Sequence, residues 1–85
     1  MMKIELLYFG RPSENLKCLR ETVDLPPGIA TLGELLAWLR LRGDIWEQEL
    51  TETRVRCAIN QEFSALTAQV KDKDEVAIFS PISGG

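Results

Sequence analysis

The segment Thr31 to Arg42, TLGELLAWLRLR, carries the clearest helical periodicity in this sequence, and it constrains everything around it. Leu32, Leu35, Leu36 and Leu39 recur at the i, i+3, i+4, i+7 spacing that lines one face of a helix. Both ends are signalled. Thr31 and Glu34 form a T-x-x-E capping box, Ala30 and Leu35 occupy the hydrophobic-staple positions, and Gly43 follows an arginine-rich last turn as a C′ residue. A helix with one apolar stripe must bury that stripe against another layer. The other long apolar runs alternate, so that layer is a sheet.

Lys3 to Phe9 predicts a first strand with Ile4, Leu6 and Tyr8 on one face and Lys3, Glu5, Leu7 and Phe9 on the other. A loop of Gly10, Pro12, Ser13, Glu14 and Asn15 leads to a second strand, Leu19 to Leu25, stopped by Pro26-Pro27-Gly28. The short connection suggests a hairpin. Asp44 to Leu50 reads as a short helical turn. Arg54 to Asn60 predicts a third strand with Val55, Cys57 and Ile59 inward, and Asn60-Gln61 makes a turn before Glu62 and Phe63. After the polar turn Lys71 to Asp74, Glu75 to Phe79 is apolar enough to lie inside the sheet.

These 85 residues predict one α+β domain, a mixed sheet with one main helix packed on one face and the other face open. Strand parity puts Leu7, Phe9, Ala58, Ala77 and Phe79 on the open face, beside Lys3, Glu5, Arg54 and Arg56. Phe63 is a further candidate whose face the turn leaves unassigned. A contiguous apolar patch with a charged rim points to a protein-binding surface.

Composition removes several chemistries. With 13 acidic against 10 basic residues and a net charge of -3, the chain lacks the basic footprint of a nucleic-acid binder. The start, MMKIELLYFG, is too short and too charged for a signal segment or membrane span, so the expected location is the cytoplasm. Histidine is absent, which excludes a Cys/His nucleophile pair and a His-ligated metal. Cys18 and Cys57 are expected as free thiols, and no phosphate-binding loop motif occurs.

The ending FSPISGG holds the remaining signal. Ser80 precedes a proline and is biased to extended backbone, while Pro81 has no N–H for a sheet ladder, so the last strand must stop. Ile82, Ser83, Gly84 and Gly85 can then reach about 13–14 Å beyond the fold. A flexible tail of 80–85 ending in two residues without side chains can enter a narrow channel. Its carboxylate is inert toward acyl transfer until a partner activates it with ATP.

The element order with a terminal Gly-Gly resembles the ubiquitin-like β-grasp proteins, and DEVAIFSPISGG resembles their sulfur-carrier branch. With KIELLYF, LPPGIATLGELLAWL and CAINQEF, the chain is similar over nearly its whole length to the molybdopterin synthase small-subunit family. That resemblance implies that an E1-like adenylyltransferase activates Gly85 with ATP and that a sulfur-donor enzyme converts it to a thiocarboxylate. The tail then enters the large subunit, in a complex of two small and two large subunits. There it gives sulfur to cyclic pyranopterin monophosphate to form a dithiolene. The chain would be a sulfur-donating subunit with no bound cofactor and no catalytic site of its own. Phe9, Phe63 and Phe79 match the family's partner-contacting hydrophobics, with Leu7 and Ala77 beside them.

Three positions depart from the family pattern. Ser80 replaces the first of two prolines, Gly10 to Glu14 keeps only the Glu of an Ala-x-x-Arg-Glu helix and carries a proline, and Lys73 stands where glycine is usual. Thiamine-pathway sulfur carriers and ubiquitin-related modifiers use the same Gly-Gly, and a non-catalytic interaction module is a further reading.

Overall fold

The computed structural model describes residues 2–81. The elements are β1 (Met2–Phe9), α1 (Arg11–Leu16), β2 (Arg20–Leu25), α2 (Leu32–Arg40), α3 (Asp44–Glu49), β3 (Arg56–Ile59), β4 (Glu62–Ser64) and β5 (Glu75–Phe79). They build a five-stranded mixed sheet in the order β2-β1-β5-β3-β4. β1 and β5 run parallel, and the other neighbours are antiparallel. The last strand is therefore the central one, which is why Val76 and Ile78 are both 0% exposed.

The helix stripe is buried as its spacing requires. Leu32, Leu35, Leu36 and Leu39 join Ile4, Leu6, Tyr8, Val23, Leu25, Cys57, Val76 and Ile78 in one core. The capping box forms in full, with the Glu34 N–H donating to Thr31 Oγ1 at 3.2 Å and the Thr31 N–H donating to Glu34 Oε1 at 3.0 Å. Two first-turn donors find carbonyls elsewhere: Leu32 bonds Ala68 at 3.0 Å and Gly33 bonds Leu66 at 2.9 Å.

Four expectations change. The connection after β1 is a helix and not a plain loop, because Pro12 falls in its first turn, where a missing N–H costs nothing. β1 and β2 still pair antiparallel, with Met2 opposite Leu25 and Leu7 opposite Arg20. Helix α2 ends at Arg40, and Gly43 serves the next helix, its carbonyl accepting the Glu47 N–H at 2.9 Å. The third strand is shorter than expected, leaving Arg54 and Val55 outside it. Asn60 and Gln61, at φ 50° and 72°, form a tight two-residue turn into β4, a strand the alternation did not reveal.

Polar clamps tie the layers. The Tyr8 hydroxyl donates to Glu21 Oε2 at 2.8 Å, and Arg42 grips both oxygens of the same carboxylate at 2.7 and 3.1 Å while lying 4.6 Å from the Trp46 ring. Buried Glu49 accepts from Asn15 at 2.8 Å and so joins α3 to α1. Among the described residues no helix is long and apolar enough to cross a membrane.

Candidate protein-interaction face and tail root

The face of the sheet away from α2 carries the expected residues in two rows. Register places Leu7 beside Ala77, Ala77 beside Ala58, and Ala58 beside Phe63. The second row holds Phe9, Phe79 and Arg56. Since cross-strand partners share a face, β4 settles the side of Phe63. Phe63 is 84% exposed and Phe9 52%, whereas Leu7, Ala77 and Phe79 are half-buried and Ala58 is buried. The rings of Phe63 and Phe79 meet edge to face with centroids 5.7 Å apart, so the patch spans four strands. Sequence parity found this face. It missed the side of Phe63, although the two-residue interval Asn60-Gln61 between Ile59 and Glu62 was the signal that could have found it.

The tail leaves from the same end. Because β1 and β5 are parallel, Phe9 and Phe79 finish side by side. Ser80 and Pro81 then share a cleft with Arg11, Pro12, Glu49 and Arg54. Ser80 is half-buried and Pro81 exposed. Ile82, Ser83, Gly84 and Gly85 lie outside the described residues.

Neither thiol is prepared for chemistry. Burial pushes the Cys57 thiol up to about 11, and burial with the nearby Glu21 carboxylate raises that of Cys18. Both are held protonated near neutral pH, which makes them poor nucleophiles.

The ThiS family profile matches residues 6–85, a span that runs through both terminal glycines. The chain belongs to the ThiS family. The molybdopterin synthase sulfur carrier subunit of Haemophilus influenzae is 30% identical over 82 residues, covering 96% of this chain and 99% of that protein. Among solved structures, small archaeal modifier protein 1 of Haloferax volcanii is 27% identical, with a TM-score of 0.68 over 96% of this chain and 100% of that one. A Helicobacter pylori complex of subunits 1 and 2 of molybdopterin-converting factor contains a chain of the same fold. It is 22% identical, with a TM-score of 0.65 over 99% of this chain and 100% of that one. A ubiquitin from Caldiarchaeum subterraneum shares the fold at 16% identity, with a TM-score of 0.59 and coverage of 99% and 98%. The ThiS-family chain is thus the ubiquitin-like β-grasp that its helix, strands and ending resemble.

Proposed function

We propose that this ThiS-family chain is the sulfur carrier of molybdenum-cofactor synthesis, acting as the small subunit of molybdopterin synthase. The end-to-end match to a curated sulfur carrier subunit carries this reading. The face and tail root support it. A carrier must hold one partner by a surface and present a terminal group to it, and here an aromatic patch adjoins the strand that runs into Ser80-Pro81. A large-subunit partner accords with the Helicobacter pylori neighbour, a complex of two subunits.

The chemistry requires activation in a separate, E1-like enzyme. The Gly85 carboxylate attacks the α-phosphate of ATP and releases pyrophosphate, giving an acyl adenylate. Sulfide-level sulfur (HS⁻) supplied by a donor enzyme attacks the acyl carbon and displaces AMP, leaving a thiocarboxylate. In a complex of two small and two large subunits, the tail carries that sulfur to cyclic pyranopterin monophosphate, where two such transfers build the dithiolene. Gly85 is the reacting residue, and Pro81, Ile82, Ser83 and Gly84 are its arm. The carrier itself binds no cofactor and works in the cytoplasm. The protonated state of Cys18 and Cys57 favours the tail over a persulfide as the sulfur site.

The likeness to small archaeal modifier protein 1 favours a second reading, in which Gly85 is transferred to a lysine of another protein. One experiment separates the two. The chain is incubated with ATP, an E1-like activator and a sulfur source, and its C-terminal peptide is weighed. Replacement of one oxygen by sulfur on Gly85, followed by dithiolene formation with the large subunit, is the expected result. A persulfide on a cysteine, or only isopeptide-linked products, would contradict it. Adding one residue after Gly85 displaces the carboxylate by about 3.5 Å. Transfer should then fall at least about a hundredfold while binding to the large subunit persists.

A further inference from the structure

The arginines of this chain divide by position. Away from the tail root each has an internal partner. Arg20 is paired with Glu5, Arg42 grips Glu21, and Arg40 donates to the Leu50 carbonyl at 2.9 Å. At the tail root carboxylate pairing is long or missing among the described residues. Among the described residues exposed Arg11 makes no ion pair, and Arg56 makes none either, donating to the neighbouring Val55 carbonyl at 3.0 Å. Among the described residues Arg54 pairs with the buried Glu49 alone, at 3.8 Å, and that carboxylate already accepts from Asn15. Arg11 and Arg54 line the cleft of Ser80 and Pro81, while Arg56 stands beside Phe79 in the aromatic row.

Three guanidinium groups thus surround the exit of the tail in a chain whose net charge is -3. Covering them with a neutral partner surface would strip their water without replacement, and a buried unpaired charge is strongly unfavourable. We infer that the large-subunit surface receiving this chain carries carboxylates around the mouth of its tail channel, opposite Arg11, Arg54 and Arg56. The inference rests on the carrier reading above. Such a match acts mainly on encounter: it turns an acidic molecule so that the end carrying these three arginines, with the tail, arrives first. The phenylalanines then hold what the arginines have oriented.

The test is stopped-flow association of the full chain with its large subunit at a series of salt concentrations. Arg11→Glu combined with Arg56→Glu removes no internal ion pair, so the fold should survive, which melting verifies. The association rate at low salt should drop about tenfold or more, and its dependence on salt should flatten. Arg54→Glu should add to the loss. Lys71→Glu with Lys73→Glu makes the same change of charge on exposed side chains in the turn before β5, at the end of that strand away from the tail, and should alter the rate less than about twofold. Equal loss from both double variants would mean that net charge alone matters, and no loss from either would mean that no carboxylates face the arginines. Both results overturn the inference and leave the carrier reading intact. If the unaltered chain does not bind the large subunit, both fall together.

Discussion

Phe63 separates stability from function at a single residue. Its ring is 84% exposed and touches the fold through Phe79, so Phe63→Ala should change unfolding free energy by less than about 0.5 kcal/mol. If the patch docks the large subunit, the same change should weaken binding by about 2 kcal/mol, close to thirtyfold. Titration calorimetry beside urea unfolding measures both, and unchanged affinity would remove Phe63 from the interface. Lys73 makes a different point. It stands at φ 71° with its N–H donating to the Lys3 carbonyl at 2.7 Å, a left-handed backbone that glycine adopts without steric cost. A side chain there costs about 1 kcal/mol, and glycine gives back part of that in unfolded-chain entropy. Lys73→Gly should therefore be neutral or stabilising by up to about 1 kcal/mol, whereas Lys73→Val should destabilise by about 1–2 kcal/mol in urea unfolding.

Among the elements, α2 was the most legible because its cap, stripe and last turn agree. Thr31→Ala should cost about 1 kcal/mol, since the Glu34 N–H then loses its acceptor. The cap also has a pH signature. The Ala30 N–H, at 2.8 Å, and the Thr31 N–H bond the Glu34 anion and hold its carboxyl below the ordinary range. A depressed carboxyl contributes fully above its unfolded value, and the contribution is lost as pH falls through the folded one. Glu34→Gln should therefore flatten part of the acid limb of a stability profile and leave its slope above neutrality unchanged. Helix α1 and strand β4 were not legible for a common reason. Six and three residues are too few for a period to declare itself, and each is held by neighbours. Asn15 reaches Glu49 on α3, and β4 borrows its ladder from β3.

At the scale of the molecule, β5 is decisive because it joins two halves. β1 and β2 form one pair and β3 and β4 another, and only β5 bonds both. A fragment of residues 1–74 should be unfolded by circular dichroism, since two-stranded units are marginal alone. A folded fragment would show that α2 suffices to hold the pairs. The sequence by itself determined the α+β class, the buried stripe of α2, the open face of Leu7, Phe9, Ala77 and Phe79, and the chemistry open to an ending without side chains. These follow from local periodicity and from what each residue type can do. Tertiary structure alone decided that β5 lies between β1 and β3 and that Phe63 meets Phe79. It alone brought Arg11 and Arg56 to the tail root with no ion pair among the described residues, and Arg54 there with Glu49 at 3.8 Å. Such facts depend on pairings between residues far apart in the chain, about which the period of any one segment carries no information.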